Sequence, residues 1–179
     1  MSGKGTIMSS LERNIQRLQR TNTGLDEIYR EMEKAVFLVA YSYLKDKYLA
    51  EDVRQEVFVK VAQNISGYRK GTNAKAWILT IAKNLSLNLL KKRRECFVDF
   101  TENESLYGTY SVEDRGGDNL IERARDILSQ EQFEIVYLVV VAGYKRREIA
   151  EYLQMPIGTV TWKYNESLKL LKNAFKEEI

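Results

Sequence analysis

An all-α fold is predicted for this chain, as two small helical domains joined by an acidic linker. Three observations predict it. The 179 residues include 1 Pro and 10 Gly, few breakers for the length, which leaves room for long helices. Apolar residues recur at helical spacing through both ends of the sequence. The overall charge of +3 is partitioned: +9 over residues 1–94, −6 over 95–119 and zero over 120–179. The expected organisation is an extension over 1–24, a first domain over 25–94, a linker over 95–119 and a second domain over 120–179.

Composition excludes several function classes. Hydrophobic residues at 44% and charged residues at 30% suit a folded soluble chain. His is absent and Cys96 is the only cysteine, which removes Ser-His-Asp or Cys-His catalysis and any His- or Cys-based zinc site. It also removes an internal disulfide and fits a reducing cytosol. No stretch approaches the ~18 apolar residues of a membrane span. The start, Met1 to Gly5, lacks the apolar run of a signal peptide, so a cytoplasmic protein is expected. Neither a metal nor a cofactor is expected.

The elements follow in order. Leu11, Ile15 and Leu18 have helical spacing among Arg13, Arg17 and Arg20. They read either as a frayed or packing extension or as a basic contact for DNA or a partner. Residues 25–45 place Leu25, Ile28, Met32, Ala35, Val36, Val39 and Ala40 on one helical face. A second helix is expected from about 50 to 65, with Ala50, Val53, Val57, Phe58, Val61 and Ile65 inward. Its other face carries Glu51, Asp52, Arg54, Gln55, Glu56 and Lys60. The polar loop Tyr68-Arg69-Lys70-Gly71-Thr72-Asn73 precedes a third helix, about 74–94, with Ile78, Ile81, Ala82, Leu85 and Leu89 inward. Three such helices can enclose one small core.

The acidic middle lacks periodicity and reads as a solvated tether or as an acidic strand for a basic channel. Its Phe97, Phe100, Tyr107 and Tyr110 are more aromatics than a spacer needs. A helix over 120–128 follows. Ser129 with Gln132 reads as a capping box for a helix over 130–142. Alone, residues 136–141 would also fit a buried strand; the cap and the absence of a strand partner favour helix. A short helix over 146–153, a turn and a helix over 159–176 complete a helix-turn-helix, whose second helix enters the DNA major groove in that motif.

Three stretches carry a resemblance. They are Ala50-Glu51-Asp52-Val53-Arg54-Gln55-Glu56-Val57-Phe58, then Ala76-Trp77-Ile78-Leu79-Thr80-Ile81-Ala82-Lys83-Asn84 ending in Lys91-Lys92-Arg93-Arg94, and Arg147-Glu148-Ile149-Ala150-Glu151 with Ile157-Gly158-Thr159-Val160. In this order they resemble the extracytoplasmic-function group of bacterial RNA polymerase sigma factors, over about residues 25–94 and 120–174. The third pattern also occurs in other helix-turn-helix regulators; the first two are more specific.

The resemblance implies roles. Residues 25–94 would be a sigma region 2-like domain and 120–179 a region 4-like domain. Asp52, Arg54, Gln55 and Glu56 would dock on a coiled coil of the largest subunit of core RNA polymerase, with further contact at the flap region. The loop and third helix would melt and read the −10 promoter element. Captured single strands need stacking surfaces, hydrogen-bonding edges and cations for phosphates. Tyr68, Arg69, Lys70, Thr72 and Asn73 offer these in the loop; Lys83, Asn84, Asn88, Lys91, Lys92, Arg93 and Arg94 offer them on the helix. Trp77 is expected in the core because it borders the Ile78/Ile81 face. The linker would thread the polymerase channel. An anti-sigma factor is a further partner that the resemblance suggests.

The last helix departs from the family pattern, which carries several Arg on its DNA face. Here Lys145, Arg146 and Arg147 precede Thr159, Thr161, Trp162, Lys163, Tyr164 and Asn165, and Glu166 and Leu168 stand at two Arg positions. Each lost phosphate contact weakens binding and flattens its salt dependence. Two readings stay open: these residues recognise a different −35 element, or binding there is weak and an accessory DNA-bound targeting protein holds the domain. A helix-turn-helix repressor or activator with a helical dimerisation domain is the alternative function. Charge argues against it, because the supposed DNA reader is neutral and the supposed dimer domain is +9. Asp52 and Glu56 as paired catalytic carboxylates lack a His, a phosphate loop or a metal cluster beside them, so no enzyme is expected. Redox sensing at Cys96 has no second feature to support it, since a lone Cys is more often inert.

Overall fold

The computed structural model describes residues 9–98 and 118–176, which form eight α-helices and one 3-10 turn. The helices are α1 (Ser10–Thr21), α2 (Leu25–Leu44), α3 (Lys47–Asn64), α4 (Ala74–Val98), α5 (Asp118–Ile127), α6 (Gln130–Val140), α7 (Arg146–Leu153) and α8 (Ile157–Lys176); the turn is Ile65–Gly67. The all-α expectation holds. The side chain of Cys96 and most of the acidic linker lie outside the described residues.

Local chemistry sets the boundaries. Ser9 Oγ accepts from the Glu12 N–H at 3.2 Å and starts α1. Asp46 Oδ1 accepts from the Leu49 N–H at 3.0 Å, so α3 begins at Lys47, earlier than apolar spacing alone suggests. Asn73 Oδ1 accepts from the Ala76 N–H at 3.0 Å and starts α4. The Ser129 capping box forms: Gln132 N–H donates to Ser129 Oγ at 3.3 Å and Ser129 N–H to Gln132 Oε1 at 3.0 Å. Gly143, at φ +70°, follows α6 in a conformation that favours glycine.

The N-terminal helices pack around α2, which touches α1, α3 and α4. Leu11, Ile15 and Leu18 of α1 are buried, so residues 10–21 form a packing helix. In the C-terminal group α6 packs on α7 and α8. The strand ambiguity of residues 136–141 has a physical cause. Between α2 on one side and α7 and α8 on the other, α6 buries Phe133, Ile135, Val136, Tyr137 and Leu138, and a helix covered on most sides loses its amphipathic signal.

The two groups meet along a seam in which α2 packs on α6 and α4 on α7. Phe133 lies at 6.4 Å from the Tyr41 ring across it. The Tyr144 hydroxyl lies 3.3 Å from Met32 Sδ, and Arg125 donates to the Tyr41 hydroxyl at 3.0 Å. The domains read from the sequence therefore share a continuous apolar core in this arrangement. Sequence periodicity sees faces within a helix and carries no information on which helix covers which.

Candidate nucleic-acid interface

The loop before α4 and the outer face of α4 form one surface. Tyr68 is buried, its ring 5.1 Å from that of Trp77, and its hydroxyl donates to the Thr72 carbonyl at 2.7 Å. Arg69, Lys70 and Thr72 are exposed. Thr72 folds back on Arg69, its hydroxyl and amide reaching the Arg69 carbonyl at 2.8 and 3.2 Å. Trp77 is half-buried against the core and lines a groove with Arg69, Thr72, Asn73 and Thr80. Further along α4, Thr80, Asn84, Leu87, Asn88 and Lys91 are exposed, and their spacing places them on one helical stripe. Lys92, Arg93 and Arg94 extend the exposed cationic end.

Helix α7 covers the near end of this surface. Asn73 Nδ2 donates to the Glu151 carboxylate. Lys75 Nζ pairs with Glu148 Oε1 at 2.9 Å and sits 4.5 Å from the Tyr144 ring. Burial opposes charge on Glu148, but hydrogen bonds from Lys75 and the Lys145 N–H outweigh it and hold the carboxyl below its usual range. Glu151 and Tyr152 of α7 complete the groove that Trp77 lines. Acidic side chains of α7 thus face the junction of the loop and α4 at Asn73 and Lys75.

Behind them lies a buried acid. Glu134 on α6 is 3% exposed. Its Oε1 accepts from Ser42 Oγ of α2 at 3.0 Å and from the Tyr152 hydroxyl at 3.5 Å. Desolvation raises its pKa to about 7; Ser42, Lys83 of α4 and Tyr152 pull it down, and Glu131 pushes it up. Ser42 also lies 2.7 Å from the Val39 carbonyl, and its hydroxyl carries one hydrogen. This acid was readable as the one charge in an apolar run, but its partner on α2 was not.

On α3, Asp52, Gln55 and Glu56 are exposed. Arg54 is engaged instead, pairing with Glu51 at 2.5 Å and lying 5.7 Å from the Tyr29 ring. Tyr48 at 70% and Val59 at 53% exposure flank Asp52 and Gln55 on the same helical stripe. Sequence reasoning passed over both, although two apolar residues on the polar face were a visible signal.

In the helix-turn-helix, Gln154 makes the turn at φ +55° and Pro156 precedes α8. Lys145, Arg146 and Arg147 are exposed; Arg146 lies 5.4 Å from the Tyr164 ring and Arg147 pairs with Glu151 at 3.5 Å. Lys163 is bound to Glu131 of α6 at 2.5 Å, and Glu166 accepts from Lys169 at 2.7 Å. Thr159 and Thr161 are half-buried, Asn165 is exposed and Trp162 is 63% exposed. The first turns of α8 therefore present an indole and an amide outward, with their lysine tied inward.

These features define a helical protein with a helix-turn-helix and a second, cationic surface suited to nucleic acid. Residues 28–96 match the family described as Sigma-70 region 2. The chain is 25% identical over 157 residues to the ECF RNA polymerase sigma factor SigE of Mycolicibacterium smegmatis, an alignment covering 83% of this chain and 60% of that protein. The sigma factor RpoE in complex with the anti-sigma factor NepR from Bartonella quintana shares the fold, with a TM-score of 0.63 at 22% identity over 84% of this chain and 96% of that one. CnrH, in complex with the cytosolic domain of CnrY, gives 0.71 at 14% identity over 96% of this chain and 100% of that one. Residues 28–96 are thus similar to Sigma-70 region 2, and the chain as a whole is similar to relatives named ECF RNA polymerase sigma factors. Among the described residues no helix is long and apolar enough to cross a membrane.

Proposed function

We propose that the chain binds core RNA polymerase through α3 and directs it to promoters, reading the −10 element with the loop over residues 68–73 and with α4. The observation that carries this reading is the continuous stripe from Thr80 through Asn84, Asn88 and Lys91 beside that loop, with the cations of residues 91–94 beyond. Amides suit base edges and cations suit phosphates. Asp52, Gln55 and Glu56, flanked by exposed Tyr48 and Val59, supply the polymerase contact. In the seam seen here Glu151 holds Asn73 and Glu148 holds Lys75, so reading DNA requires the seam to part. An anti-sigma factor is a candidate partner because the RpoE relative is solved with one. The helix-turn-helix contributes weakened or altered −35 recognition, with an accessory DNA-bound protein supplying the remainder. Lys163 bound to Glu131 and the outward Trp162 support this part.

Gel filtration with core polymerase tests the main reading. The wild-type chain co-elutes, and Asp52→Ala/Gln55→Ala weakens association at least about tenfold, an ordinary effect for the centre of an interface. A homodimer that ignores polymerase and binds duplex operators would establish the repressor alternative. Transcription from a linear template with defined −35 and −10 elements tests the second part. Poor activity with core polymerase alone is expected, and strong activity there removes the targeting protein.

A further inference from the structure

Helix α1 lies before the matched region 2 span, yet it is wired to the loop rather than only to the core. The Gln19 side-chain amide donates to two main-chain carbonyls, Ile65 O at 2.8 Å and Tyr68 O at 3.1 Å. Those carbonyls open and close the 3-10 turn, whose own bond runs from Tyr68 N–H to Ile65 O at 3.2 Å. Glu12, two turns earlier on the same face of α1, accepts from the Gly71 N–H at 3.3 Å. Gly71 stands at φ +88°, where other residues are strained, so this contact engages the loop at its conformationally freest point. Three backbone groups between 65 and 71 are thus anchored on one helix.

The docking of α1 does not depend on these contacts. Leu11, Ile15 and Leu18 fix it, at 1%, 0% and 4% exposure. Gln19 itself is exposed, so removing its amide opens no cavity. The holds on the loop also differ in kind. Those from α7 end when the seam parts, because Glu148 and Glu151 leave with the C-terminal group. Those from α1 stay, because α1 packs within the N-terminal group.

We propose that Gln19 and Glu12 are positioning residues for single-strand capture, holding the loop over residues 65–73 in its reading shape once α7 has left it. The proposal rests on the reading of this loop as the −10 reader. A loop ordered before binding spares the strand the cost of ordering it, which raises affinity without any new contact to DNA.

The test uses the full chain near pH 8 with a fluorescein-labelled degenerate DNA single strand of about 20 nucleotides, together with amide exchange of the free protein. Gln19→Met keeps length and removes both donors. It should speed exchange across residues 65–73 by about fivefold and weaken single-strand binding about three- to tenfold, with thermal midpoint and polymerase co-elution unchanged. Glu12→Ala should speed exchange at Gly71, and Glu12→Gln, which keeps the acceptor oxygen, should restore it. Unchanged exchange in Gln19→Met overturns the brace. Faster exchange with unchanged strand affinity overturns its role in capture. Loss of polymerase binding together with a lowered midpoint makes Gln19 a general stability residue and overturns it as well. A wild-type chain that binds no single strand defeats the promoter-reading function instead, and the exchange arm still reports on the brace.

Discussion

Raising the pH from about 5.5 to about 8 should part the two halves of the molecule, measured as a larger radius of gyration in small-angle scattering. The lever is Glu134. Buried in the seam, it has a pKa raised to about 7; freed, it returns toward the ordinary carboxylate value near 4.5. A closed state that holds a proton more tightly than the open state is favoured at low pH. Closure is therefore fully supported below about pH 4.5, loses support as pH rises toward 7, and is weaker above that by up to about 3 kcal/mol. The neighbouring groups do not cancel this. Tyr43 and Tyr152 have raised pKa values, with burial as the main cause, and stay neutral throughout. The pull of Lys83 is already contained in the Glu134 value. Glu148 is shifted the other way, so its contribution is lost only as pH falls below the ordinary carboxylate range. Glu134→Gln, a neutral mimic of the protonated acid, should stay closed at both pH values. An equal radius at both, or the same expansion in Glu134→Gln, would sink the argument.

The sequence carried the fold unevenly, and the reasons are physical. Helices with one wet face, such as α1 and α7, announce themselves through apolar spacing, and the helix predicted over 146–153 matches α7. Where a side chain, not a core position, sets the end, spacing misplaces it: Asp46 moves the start of α3 to Lys47. Helix α6 was ambiguous because neighbours cover it on most sides. For the site, residue types and motifs pointed to the loop and α4, and Asn84, Asn88 and the cations of residues 91–94 are exposed there. The seam could not be read. Its pairs, Ser42 with Glu134, Asn73 with Glu151 and Lys75 with Glu148, join residues some seventy to ninety positions apart. The brace on α1 was hidden similarly, since an amide that serves a distant carbonyl looks like any surface Gln.

The seam also accounts for the neutral back half, which had looked anomalous beside a +9 front. Its carboxylates are not spread at random over a DNA-binding surface. Glu148 and Glu151 face the basic front group, Glu131 holds Lys163, and Glu166 holds Lys169. Two of these pairs neutralise lysines of the back half itself, whereas net charge overstates what the front half offers while α7 covers it. Opening frees Asn73 and Lys75 from Glu151 and Glu148, while the pairs within the back half persist.

Glu148→Gln/Glu151→Gln should consequently raise affinity for a DNA single strand by about tenfold near pH 6.5, which corresponds to roughly 1.4 kcal/mol. The substitutions keep size, and the amide oxygen introduced by Glu148→Gln can still accept from the Lys145 N–H, so the start of α7 survives. They remove two negative charges from beside the loop and release Lys75 from its ion pair. A freed cation that then meets phosphate should steepen the salt dependence of binding by about 0.7 in log–log slope, the single-strand value for one contact. This separates unmasking from a general softening of the fold, which would raise affinity without adding a cation. Coupling to Glu134 gives a second check. If both devices act on one closed–open equilibrium, the gain from the double substitution should shrink near pH 8, where Glu134 has already weakened closure, and grow in the Glu134→Gln background, where closure persists. A gain independent of pH and of Glu134 would mean that the acids act on DNA only by local repulsion, with the seam playing no part. No gain at all would mean that α7 does not mask the loop in solution.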